Sequence, residues 1–64
     1  MTAREVIARL KEDGWEQLPN KDGSHRYFKH PTKPGKVCVP DHGGKDIKLG
    51  TLKSIARQAG IKLP

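Results

Sequence analysis

The stretch Gly23-Ser24-His25-Arg26-Tyr27-Phe28-Lys29-His30-Pro31 decides how this chain folds. A turn glycine opens it, two aromatics, two histidines and two cations follow, and a proline closes it. In an extended strand successive side chains point to opposite faces. His25, Tyr27 and Lys29 then share one face, and Arg26, Phe28 and His30 share the other. A chain of 64 residues has one thin core, and such a core rarely yields more than about 3–5 kcal/mol of net stability. Only one sheet face can therefore be packed. Phe28 is the best core residue of the stretch, which turns the His25 face toward solvent or a ligand.

Neighbouring segments supply the partners for this strand. Upstream, Asn20-Lys21-Asp22-Gly23 has the chemistry of a tight hairpin turn, since Asp-Gly favours positive φ. Before it, Trp15-Glu16-Gln17-Leu18-Pro19 reads as a short, weakly patterned strand. Downstream, Pro31-Thr32-Lys33-Pro34-Gly35 is a stiff connection to Lys36-Val37-Cys38-Val39-Pro40, a third strand with Val37 and Val39 facing the core. Three strands with short connections form an antiparallel meander.

Helices flank the meander. Thr2-Ala3-Arg4-Glu5 is a capping box, and Ala3, Val6, Ile7 and Leu10 trace one apolar stripe at helical spacing up to the stop at Gly14. The spacing predicts a helix over 3–13. Asp41-His42-Gly43-Gly44-Lys45-Asp46 is an irregular loop. Leu49, Leu52, Ile55, Ala56 and Ala59 then mark a second helix, with Gly60 as its C′ residue and Ile61 placed to fold back on it. The order is α-β-β-β-α. Each helix has one apolar face, so both pack on the same side of the sheet and the other side stays wet.

Composition narrows the possible partners. The chain carries 13 Lys and Arg against 7 Asp and Glu, a net charge of +6. Residues 1–20 hold 3 basic and 4 acidic side chains, whereas residues 21–64 hold 10 and 3. That asymmetry points to a polyanionic partner; a solvated basic surface or an acidic protein partner would account for it equally well. The lone Cys38 excludes an internal disulfide and fits a reducing cytosol. No apolar run approaches the ~20 residues of a membrane span, and the first residues do not lead into a signal-peptide core. A cytoplasmic protein without membrane contact is expected.

Among chemistry-bearing residues His25 ranks first. An unperturbed imidazole titrates near pH ~6.5, so both protonation states are accessible in a cell. Cleavage of RNA by its own 2′-hydroxyl needs a base for that proton and an acid for the leaving 5′-oxygen. Arg26, Lys29 or Lys36 can stabilise the phosphoryl charge, and Ser24 lies beside His25 in a small turn that admits close approach. A surface histidine without a role is the bland alternative. A second basic group, Lys45, Lys48, Lys53 and Arg57, lies around the start of the last helix, where free amides suit a phosphate; a solvated polar face explains Lys53 and Arg57 as well. Zinc is disfavoured: His25 and His30 point to opposite faces, and the chain has neither CxxC nor HxxxH. Cys38 has no flanking base, so it reads as a half-buried filler.

Taken in order, these residues resemble the HicA family, the toxin half of HicAB toxin–antitoxin systems. The resemblance rests on Asp13-Gly14-Trp15, Gly23-Ser24-His25 with Phe28, His30-Pro31, Val37-x-Val39-Pro40-x-His42, Lys45-Asp46, Gly50-Thr51-Leu52, Ile55 and Gln58-Ala59-Gly60. It covers nearly the whole chain, so residues 1–64 are expected to be one HicA-like toxin domain. The resemblance implies a fold like the double-stranded-RNA-binding domain and ribonuclease activity on mRNA. It also implies inhibition by a cognate HicB-type antitoxin and a catalytic role for His25. No metal and no small-molecule cofactor are expected. The RNA-contacting set is Ser24, Arg26, Lys29, Lys36 and Lys45. A non-catalytic RNA-binding module of the same fold is the alternative.

Overall fold

The computed structural model describes residues 1–19 and 23–63. Its elements are α1 (Ala3–Glu12), β1 (Glu16–Gln17), β2 (His25–Lys29), β3 (Lys36–Pro40) and α2 (Leu49–Ala59). The sheet order is β1-β2-β3 and both pairings are antiparallel. This is the α-β-β-β-α layout that the sequence implies. Apart from Gly23, the hairpin turn expected at 20–23 lies outside the described residues.

Local chemistry explains where the helices start and stop. At the head of α1, the Thr2 hydroxyl accepts from the Glu5 amide at 3.3 Å, and the Thr2 amide donates to the Glu5 carboxylate at 2.9 Å. The Thr2 amide, and the Thr2 hydroxyl donating to the same carboxylate at 3.2 Å, hold the Glu5 carboxyl below its ordinary range. At the other end of the chain, Gly60 is left-handed at φ 67° and ends α2. The Ile61 amide donates back to the Ala56 carbonyl at 3.1 Å, and Ile61 packs against the core.

Both helices lie against β3, on one side of the sheet. The buried core joins Ala3, Val6 and Leu10 of α1 and Leu52, Ile55 and Ala59 of α2 to Trp15, Phe28, Val37 and Val39. Fully burying a side chain the size of Phe28 contributes ~1.5–3 kcal/mol. Such a small core depends on every member.

Strand β1 is shorter than the expected 15–19, with only Glu16 and Gln17 in the ladder. Trp15 leaves it to enter the core, and Pro19 has no amide to donate. One further bond, from the Leu18 amide to the Tyr27 carbonyl at 2.8 Å, prolongs the contact with β2.

Beyond β2, His30 locks the end of α1 to the β2–β3 connection. Its Nδ1 accepts from the amides of Thr32 at 3.1 Å and Lys33 at 3.0 Å. An imidazole nitrogen receiving two N–H donors carries no proton, so Nε2 is the protonated nitrogen. It donates to the Asp13 carbonyl at 2.8 Å. The ring also meets Trp15 edge-on, with centroids 5.1 Å apart.

Gly14 makes this approach possible. Its φ is +100°, and a Cβ there would stand 3.0 Å from His30 Nε2. Lys33 completes the lock by donating to the Asp13 carboxylate and, at 3.0 Å, to the Ala59 carbonyl at the end of α2. The Lys33 ammonium holds the Asp13 carboxyl below its ordinary range, against a partial desolvation that raises it. The buried Trp15 indole N–H has no hydrogen-bond partner among the described residues.

Candidate functional site

The helix-free side of the sheet is built from three cross-strand rows. His25 faces Pro40, Tyr27 faces Cys38, and Lys29 faces Lys36. Pairing with β1 adds Glu16 beside Lys29. His25, Lys29 and Lys36 are exposed, while Tyr27, Cys38 and Pro40 are half-buried. The imidazole of His25 thus stands on the bare side of the platform, away from the helices, where a polymer can reach it.

Alternation forces this placement. Phe28 and Val37 are opposite each other and fully buried, so residues of odd number on β2 and even number on β3 must face outward. Pro40 ends β3, an edge strand, where its missing N–H breaks no ladder bond.

The expected contact residues separate into three places. Ser24 adjoins His25, and its carbonyl accepts from the Asp41 amide at 2.6 Å. Lys45 is exposed in the loop that leaves β3 beyond Pro40, at the His25 end of the sheet. Lys29 and Lys36 share the open face but stand four residues along the strand from His25 and Pro40, roughly 13 Å away at strand rise. The length of the ladder thus separates these two lysines from His25.

Arg26 lies on the helix side, half-buried, where its guanidinium pairs with Asp41 at 3.4 Å. Asp41 also accepts from the Gly43 amide at 3.3 Å. Arg26 therefore organises the backbone that follows Pro40. Sequence reading missed Asp41 because nothing local identifies it; the pairing appears only once the β2–β3 register is known.

Lys29 and Lys36 are directly opposed like charges. Such a cross-strand pair costs stability, on the order of 0.2–1 kcal/mol. Among the described residues neither forms an ion pair. A bound anion would relieve that repulsion.

The loop and the start of α2 enclose a recess of about 400 Å³, lined by residues that include Pro40, His42, Lys45, Lys48 and Thr51. Pro40 is thus shared by the recess and the His25 row. His30 takes no part in this face, since both its ring nitrogens are engaged in the lock at the end of α1. No helix among the described residues is long and apolar enough to cross a membrane.

Comparison with curated proteins gives no match. A family model described as the HicA toxin of bacterial toxin–antitoxin matches residues 3–61, from the first residue of α1 to the residue that closes α2. With nearly all of its length matched, the chain belongs to the HicA toxin family, and its role is that of a toxin.

Proposed function

We propose that this toxin is an endoribonuclease that cleaves mRNA, with His25 exchanging protons with the RNA as a general acid/base. The observation that carries the reading is an exposed imidazole on the helix-free face, with the opposed Lys29–Lys36 pair on the same face. The chemistry is internal to the substrate. The 2′-oxygen attacks the adjacent phosphorus, the bond from phosphorus to the 5′-oxygen breaks, and a 2′,3′-cyclic phosphate remains. Written this way, the reaction asks only for proton transfer and for cations along the phosphate backbone. A positioned general acid/base contributes about 10²–10⁴-fold in rate. Lys29 and Lys36 hold the strand by its phosphates, Lys45 contributes at the His25 end, and Ser24 shapes the approach.

The same face accounts for control of the toxin. A cognate HicB-type antitoxin that lays an acidic or apolar surface over His25 would neutralise the cations and exclude RNA together. Regulated expression of the native and His25→Ala chains, with cellular RNA sizes and growth followed, tests the reading. The native chain is expected to fragment mRNA and arrest growth, and His25→Ala to do neither. Growth arrest by His25→Ala with the same RNA fragmentation would overturn it. RNA binding without cleavage by the native chain would identify a binding module instead.

A further inference from the structure

RNA cleavage by this route moves two protons, yet the reading above assigns a single imidazole. We propose that His42 is the second proton-transfer group and that Arg26, through Asp41, positions it. This rests on the ribonuclease reading and deepens the same site.

The chain has three histidines. His30 is consumed by the lock at the end of α1, where its two nitrogens serve Asp13, Thr32 and Lys33. His25 and His42 remain, and both are exposed at the same end of the β2–β3 ladder. Pro40 is the cross-strand partner of His25, and His42 lies two residues further on. The ladder does not stop at Pro40: the Asp41 amide donates to the Ser24 carbonyl at 2.6 Å. Extending the alternation by those two residues returns His42 to the face of Pro40 and His25. Diagonal neighbours of this kind are about 7–8 Å apart. Imidazoles reaching inward from that separation leave room for one phosphodiester between them.

The backbone carrying His42 is held from the helix side. Arg26 pairs with the Asp41 carboxylate at 3.4 Å, and the same carboxylate accepts from the Gly43 amide at 3.3 Å. The residues on both flanks of His42, Asp41 and Gly43, are therefore tied to each other. His42 also lines the recess beside Pro40 together with Lys45, Asp46 and Lys48, a lining with two cations to one carboxylate that gives the RNA strand a path away from the cleaved bond.

In the step, one imidazole takes the proton of the 2′-hydroxyl as the bond from the 2′-oxygen to phosphorus forms. The other, as an imidazolium, gives its proton to the 5′-oxygen as the bond from phosphorus to that oxygen breaks. The cyclic phosphate and the free 5′-hydroxyl then hold all the atoms, and the pair has exchanged protonation states.

The test uses two forms of one oligoribonucleotide containing a cleavage step mapped with the native chain. One form is ordinary RNA; in the other, sulfur replaces the 5′-oxygen at that step. A thiolate leaves without a proton, so the sulfur substrate restores a variant lacking the acid and leaves a variant lacking the base slow. His42→Ala and His42→Gln are expected to slow the ordinary substrate about 10²–10⁴-fold and to recover most of the rate on the sulfur substrate. Rescue of His25→Ala instead, with His42→Ala slow on both substrates, supports the same pair with its roles exchanged. Arg26→Gln is expected to slow cleavage in the native background and to have no further effect in His42→Ala.

Cleavage within a few fold of native by His42→Ala, while His25→Ala is inactive, would overturn the proposal and leave the ribonuclease reading intact. So would equal slowing of both variants on both substrates. A native chain that does not cleave RNA at all would remove the ribonuclease reading and this pair with it.

Discussion

Replacing Gly14 by alanine tests the lock that holds the end of α1 against the strand carrying His25. Two costs follow from the geometry. The residue adopts φ +100°, a region that costs a non-glycine residue about 1–3 kcal/mol. The new methyl would also stand 3.0 Å from His30 Nε2, pushing the ring off the Asp13 carbonyl that it meets at 2.8 Å. Losing that hydrogen bond costs ~0.5–1.5 kcal/mol. Together they amount to about 1.5–4.5 kcal/mol, set against a net stability of only ~3–5 kcal/mol for a core of this size. A domain this small loses roughly 4–8 °C of Tm per kcal/mol, so Gly14→Ala should melt at least ~6 °C below the native chain.

A double-mutant cycle separates the two costs. In a His30→Ala background the contact is gone, and only the backbone strain remains. The cost of Gly14→Ala should then fall by ~0.5–1.5 kcal/mol, the share of the hydrogen bond. Urea titration of the four chains supplies the free energies. A Gly14→Ala chain that melts within a degree or two of native, or a cycle with no coupling, would refute the reasoning.

Three further outcomes are expected. Long-range proton–nitrogen NMR should find His30 as the Nε2-protonated tautomer, because the Thr32 and Lys33 amides both donate to Nδ1; a protonated Nδ1 in the neutral ring would contradict the lock. Asp13 and Glu5 titrate below their ordinary values of 3.8 and 4.5. Their contribution to stability is therefore present above those values and disappears as pH falls through the lowered, folded-state ones. Asp13→Asn should accordingly flatten the acid limb of a plot of stability against pH, and an unchanged limb would remove the Lys33 contact as its cause. Lys36→Gln should raise stability by about 0.2–1 kcal/mol through relief of like charge, since Lys29, unlike Lys36, also has Glu16 as an opposite-charge cross-strand partner. The same change should lower the salt dependence of RNA binding by roughly one phosphate contact; a lower stability, or an unchanged salt slope, would show that the pair is not held for an anion.

Much of this architecture was legible in the sequence because its signals are local. The Thr2–Glu5 capping box and the Ala3, Val6, Leu10 stripe define α1 without reference to anything distant. Alternation around Phe28 alone placed His25 on the bare face. Contacts that depend on register were not legible. Arg26 stands among the expected RNA-contacting residues, yet its guanidinium pairs with Asp41 on the helix side, a partner found only when β2 and β3 are aligned. Likewise, the sequence places His30 only on the face of Arg26 and Phe28, and its bond to the Asp13 carbonyl spans 17 positions. The glycine that follows Asp13 was the available clue, since it leaves room where a ring must approach.

The most direct measurement of the central claim is the chemistry of the RNA ends left by the purified chain. With EDTA present, the native protein should generate 2′,3′-cyclic phosphate ends, and His25→Ala, folded to the same melting temperature, should generate none. The same ends formed at the native rate by His25→Ala, with contaminating nuclease excluded, would contradict the account.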